Sequence, residues 1–141
     1  MKEQPQLAIA KCQCFSIRKA ARAATAIYDA ALEPSGLRIT QFLCLVTIRE
    51  LDGISVNTLA DALDLDRTTM GKNLVPLERE GLVEVQRSPA DARAKVIHLT
   101  DQGRARLQQA APLWASAQQR MQDLLQEDLL GFRATLGRII A

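Results

Sequence analysis

The amino-acid sequence predicts a mainly α-helical fold with one small β-hairpin set into its middle. Three observations carry that expectation. The stretch from about Leu7 to Leu32 is rich in alanine, contains neither Gly nor Pro, and repeats its apolar residues every three or four positions, as a helix with one buried face would. Between Leu82 and Leu99 the apolar period shifts from helical to alternating, which is the pattern of strands. From Thr100 onward the helical period returns.

The first helix should bury Ile17, Ala21, Ala24, Ile27, Tyr28 and Ala31, and Glu33-Pro34-Ser35-Gly36 should stop it. The residue before a proline avoids the helical region, and glycine opens a turn. Thr40 is a candidate cap for a second helix, with Ile39 and Cys44 spaced as a hydrophobic staple and Phe42, Leu45, Val46 and Leu51 on its apolar side. That helix should end near Asp52-Gly53. Ile54-Ser55-Val56 fits a very short extended piece, and Ser55 can cap a third helix, Val56 to Leu63. Asp66 can cap a fourth helix from Arg67 to about Glu80, which Gly81 closes. Two antiparallel strands, one with Leu82, Val83 and Val85 and one with Val96, Ile97 and Leu99, flank an exposed loop from Ser88 to Ala94. A long helix then aligns Leu107, Ala110, Trp114, Ala117, Met121 and Leu124 on one side, with Pro112 expected to bend it. Gln126-Glu127-Asp128 separates it from a last helix carrying Leu129, Phe132, Leu136 and Ile139.

With 141 residues, 48% of them apolar and 24% charged, the chain suits one folded domain with a real core. No apolar run reaches the roughly 18 residues of a membrane span, and the opening residues lack the pattern of a secretory signal. The expected location is therefore the cytoplasm, with no membrane partner. Cys12, Cys14 and Cys44 are odd in number, which argues against a disulfide framework. The single histidine, His98, has no plausible nucleophile beside it, and no glycine loop suited to phosphates is present, so neither an enzyme nor a cofactor or metal site is expected. The net charge of +2 says little about a polyanionic partner, and residues 37–99 hold eight Lys/Arg against nine Asp/Glu. A nucleic-acid partner must be argued from where the charges sit.

The order helix, helix, tiny strand, helix, helix, hairpin, helix, helix describes a winged helix-turn-helix over residues 37–99, between helical segments at 1–36 and 100–141. In such a unit the second helix of the close pair lies at the surface, where it can enter a major groove. Its first turn offers Arg67, Thr68 and Thr69, and the next offers Lys72 and Asn73. Hydroxyls and a helix N-terminus suit phosphates, while Arg, Lys and Asn reach base edges. Double-stranded DNA is the expected partner. Met70, Leu74 and Leu77 recur on another face and should hold the helix to the core.

The run Leu59-Ala60, the Arg67-Thr68-Thr69 opening, Leu77-Glu78 with Gly81-Leu82-Val83, the Asp91-x-Arg93 wing and Leu99-Thr100-x-x-Gly103 together closely resemble the MarR family of bacterial regulators. The resemblance extends over the whole chain. It implies that Arg93 enters the minor groove with Asp91 steadying it, and that a homodimer forms through the segments 1–36 and 100–141. It also implies repression relieved by a small-molecule effector held between the winged part and the dimer helices. Burial supports the dimer independently, since the terminal helices carry apolar faces that a small winged domain does not need. A winged module that binds only protein is the alternative, and the intact Arg67-Thr68-Thr69, Lys72 and Arg93 weigh against it. Arg87 and Lys95 lie near the wing and suit phosphates. Gly71 departs from the serine or threonine usual there, and Pro76 should bend the helix.

Around Cys14 the local resemblance is to OhrR-type hydroperoxide sensors, a MarR branch with a reactive Cys-Phe pair near the start of the first helix. Cys14-Phe15 occupies that place and Tyr28 stands at the spacing of a supporting tyrosine, but Arg18 replaces the other one. The resemblance implies a redox role for Cys14; the competing reading is a packed residue of a dimer helix. Cys12, about 200° away around a helix, should point elsewhere.

Overall fold

The computed structural model describes residues 7–91 and 93–141, without the side chain of Glu127. Residues 1–6 of the expected N-terminal segment and Ala92 of the expected wing loop lie outside the described residues. Among the described residues, six α-helices are arranged around a small sheet: α1 (Gln13–Leu32), α2 (Ile39–Glu50), β1 (Ile54–Ser55), α3 (Val56–Ala62), α4 (Arg67–Arg79), β2 (Val83–Arg87), β3 (Lys95–Leu99), α5 (Asp101–Leu125) and α6 (Leu129–Ile140). The fold is mainly helical with a small antiparallel sheet, as the sequence predicts.

The element starts follow from which groups satisfy the free amides of each first turn. Ser55 caps α3 by accepting from the Thr58 amide at 3.0 Å, and Asp66 caps α4. Thr40 does not cap α2. The helix begins at Ile39, two residues earlier than a Thr40 cap would place it, because the Arg38 amide donates to Gln41 Oε1 at 3.0 Å and the Ile39 amide donates to Asp29 Oδ1 at 2.8 Å. With Arg38 at the N-cap, the staple positions become Leu37 and Phe42, both buried. Leu51 falls beyond the end of α2 and is 45% exposed. The expected start of the first helix near Leu7 is also corrected: Ile9–Lys11 form a separate 3-10 turn, and extended backbone at Cys12 divides it from α1.

The piece at Ile54 is a true strand. It pairs antiparallel with β3, Ile54 opposite Ile97, while β2 pairs on the other side of β3 from Val83 opposite Leu99 to Arg87 opposite Lys95. The sheet order is therefore β1-β3-β2. Gly81, at φ +75°, closes α4 and turns the chain into β2. Thr100 then joins hairpin to helix: its hydroxyl accepts from the Gly103 amide at 3.0 Å, capping α5, and donates to the Gly81 carbonyl at 2.6 Å. A Cβ on Gly103 would lie 2.1 Å from the Leu82 carbonyl oxygen, so only glycine lets α5 start against the hairpin. This is the physical content of Leu99-Thr100-x-x-Gly103. Pro76 and Pro112 lie inside α4 and α5, each of which continues past its proline.

One core joins α2, α4, the sheet and the first half of α5 through Leu45, Ile48, Met70, Leu77, Ile97 and Leu107. Helices α1 and α6 contribute less to it than their sequences suggest. Leu32 is the one fully buried residue described on α1, and α6 has none. Ile17, Leu124 and Ile139, expected on buried faces, are 43%, 60% and 60% exposed.

Candidate nucleic-acid interface

Helix α4 is presented by its cap and its buried face together. The Thr69 amide donates to Asp66 Oδ1 at 2.7 Å and the Thr69 hydroxyl donates to Asp66 Oδ2 at 3.1 Å. These bonds, the amide first, hold the Asp66 carboxyl below the usual carboxylate range. Met70, Leu74 and Leu77 are buried beneath the helix. Arg67, Thr68 and Lys72 consequently face solvent, while Thr69 is half-buried with its hydroxyl turned to the cap.

Asn73 is occupied differently from the groove contact expected of it. Its Nδ2 donates to the Thr69 carbonyl at 3.0 Å, and its Oδ1 accepts from the Thr40 hydroxyl at 3.0 Å. The side chain is half-buried and ties α4 to the start of α2. The two residues are thirty-three positions apart, so no local pattern announces the pairing.

In the wing, Asp91 acts on the backbone. Its Oδ1 accepts from the Arg93 amide at 3.0 Å, its carbonyl accepts from the Ala94 amide at 3.0 Å, and Ser88 N–H donates to the Ala94 carbonyl at 2.8 Å. Among the described residues the close acid–base side-chain pairs are His98 with Asp52 and Arg104 with Asp101, so the Arg93 guanidinium stands apart from Asp91 and is exposed. His98 is a strand residue with Asp52 at 3.3 Å.

The wing and the start of α4 converge on one cleft of about 400 Å³ lined by Ser55, Asn57, Arg67, Arg93 and Lys95. Three cations meet there, Arg67 from α4, Arg93 from the wing loop and Lys95 from β3, and the lining includes no carboxylate. Of these residues Asn57 alone carries no signal in the sequence beyond its place in the first turn of α3. A second cavity of about 310 Å³ lies between α2 and α5, walled by Phe42, Val46, Leu107 and Trp114 with Arg49 and Glu50 at its edge. Trp114 stacks on Phe42 at 5.9 Å between ring centroids.

Cys14 and Cys12 are exposed, and Cys12 lies outside α1 at its N-cap rather than across the helix from Cys14. Cys44 is buried, which pushes its thiol up to about 11 and makes it unreactive. Tyr28 does not support Cys14 within the chain. Fourteen residues of helix separate them by roughly 21 Å, and the Tyr28 hydroxyl bonds to Gln118 Oε1 on α5.

The MarR family model matches residues 37–95. The chain is 30% identical over 131 residues to the HTH-type transcriptional regulator MgrA of Staphylococcus aureus, covering 90% of this chain and 86% of that one. It is also 30% identical over 90 residues to the organic hydroperoxide resistance transcriptional regulator of Bacillus subtilis (strain 168), covering 64% of this chain and spanning 61% of that protein's length. The crystal structure of the M. tuberculosis transcriptional regulator MosR in complex with DNA matches with a TM-score of 0.83 at 39% identity, covering 92% of this chain and 93% of that one.

Proposed function

We propose that this chain, because it belongs to the MarR family, is a sequence-specific DNA-binding transcriptional regulator that acts as a homodimer on a palindromic operator. The observation that carries this reading is the cleft in which Arg67 of α4 meets Arg93 and Lys95 of the wing, with Thr68 and Lys72 exposed on the same helix. A duplex laid along α4 sets its major groove against Thr68 and Lys72 and its phosphates towards the cleft cations, while Arg93 reaches the neighbouring minor groove. Asn73 and Asp91 serve as positioning residues, one fixing α4 on α2 and the other fixing the wing turn.

Dimerisation is inferred from what α1 and α6 leave uncovered. Phe15 and Ile17 on α1 and Leu130, Ile139 and Ile140 on α6 are 40–82% exposed, and a two-fold partner covers both helices at once. The dimerisation region comprises 1–36 and 100–141, and the DNA-binding region 37–99. Two copies present two α4 helices to half-sites about one helical turn apart. The output we favour is repression, relieved when a small molecule enters the cavity between α2 and α5. Its apolar wall of Phe42, Val46, Leu107 and Trp114 with Arg49 at the edge suits an aromatic ligand with one polar group.

The test is binding to DNA from the region upstream of the protein's own gene, in competition with unrelated duplex. A protected two-fold site supports the reading; equal affinity for both duplexes removes sequence specificity from it.

A second reading of the signal has its own observation, the exposure of Cys14 at the start of α1, beside a relative whose name concerns organic hydroperoxide resistance. An organic hydroperoxide should then release DNA reversibly with dithiothreitol, and Cys14→Ser should abolish the release. DNA binding unchanged by hydroperoxide, with Cys14 unmodified by mass spectrometry, leaves the ligand cavity as the signal site.

A further inference from the structure

We infer that Val75 reads sequence by placing its side chain against the C5-methyl group of a thymine in the major groove, an inference that rests on the DNA-binding reading above. Each residue of a helix advances 100° around its axis. Measured from the buried face of Met70, Leu74 and Leu77, the residues Thr68, Lys72, Val75 and Arg79 all fall within about 60° of arc on the opposite side, and all four are exposed. Val75 is the one apolar member of that row, and 53% of its surface is open to solvent. The core does not use it.

The row has the spacing of a groove reader. Thr68, Lys72 and Val75 stand at i, i+4 and i+7, as do base-contacting residues of homeodomain recognition helices. From Thr68 to Val75 the helix rises roughly 10 Å, about three base-pair steps of ~3.4 Å. Gly71 clears the flank between them: a Cβ there would meet nothing within 4 Å, and without one the helix has no shoulder on that side. Arg79, one turn beyond Val75, adds a positive charge that suits a phosphate beside the base that Val75 faces. In the major groove the thymine methyl is the apolar group that distinguishes one base edge from the others. Valine, stiff at χ1, meets it with little loss of freedom.

The experiment selects bound duplexes from a randomised pool with the full-length parent protein, then replaces each preferred thymine in turn by deoxyuridine, which lacks only the methyl group. At one position per half-site the parent should lose about fourfold in affinity, the factor that corresponds to one methyl at about 0.8 kcal/mol. Val75→Ser, which keeps a comparable helix propensity, should bind the thymine duplex more weakly than the parent and should not distinguish it from the deoxyuridine duplex at that position. Val75→Ser discriminating as well as the parent, or a parent that discriminates at no position, overturns the assignment while leaving DNA binding intact. A parent that retains no duplex from the pool overturns DNA binding itself and this inference with it.

Discussion

At the scale of single residues, the side chains of Asp91 and Arg93 are engaged differently. Asp91 shapes the turn through the Arg93 amide at 3.0 Å, and the guanidinium is left to reach outward. Arg93→Ala should therefore weaken operator binding at least tenfold, about 1.4 kcal/mol, as loss of a minor-groove or phosphate contact does, while the melting temperature stays within about two degrees of the parent, as for surface substitutions generally. Fluorescence anisotropy and calorimetry read the two effects apart; undiminished affinity would remove Arg93 from the interface. The candidate residues of α4 were legible because capping is local: Asp66 three positions before Thr69 fixes the start of the helix, and the apolar period fixes its inner face. The link from Asn73 to α2 was not legible. Its partner Thr40 comes from another helix, and an asparagine one turn inside a surface helix looks the same in sequence whether it faces DNA or a neighbour.

At the scale of elements, the junction between hairpin and α5 is held by Thr100, whose hydroxyl bonds in both directions, and by the close approach that Gly103 permits. Thr100→Ala removes a cap and a carbonyl partner together and should cost about 1–2 kcal/mol of stability. Denaturant titration should show a lower midpoint with an unchanged slope; an unchanged midpoint would mean that the junction relaxes without loss. The caps at Ser55, Asp66 and Thr100 and the change of period at the wing were readable because each depends on residues within a few positions. The start of α2 was not, since Asp29 supplies the acceptor from ten residues upstream. The tiny strand at Ile54-Ser55-Val56 was visible in the sequence, but its pairing was not, because its partner Ile97 lies far along the chain.

At the scale of the whole molecule, the apolar content of α1 and α6 was legible, but the sequence does not separate faces that pack within the chain from faces that need a second copy. The half-buried Tyr28 and Trp114 are packed within the chain, on α5 and α2, whereas Ile17, Leu130 and Ile140 are open. Truncation after Glu127 removes α6 and should yield monomers or aggregates in sedimentation, with no measurable operator binding; a stable, DNA-competent dimer would contradict the role given to α6. In the proposed complex α4 and the wing hold the duplex through the cleft of Arg67, Arg93 and Lys95, with Arg67 and Lys95 on phosphates and Arg93 in the minor groove. The most direct test of this arrangement is the slope of log affinity against log salt concentration, measured on one duplex for the parent and for a variant with all three residues changed to Ala. The parent should show a steep linear fall, and the variant a slope shallower by about one for each phosphate-bound cation removed. A parent whose affinity ignores salt, or a triple variant with the parent's slope and affinity, would contradict it.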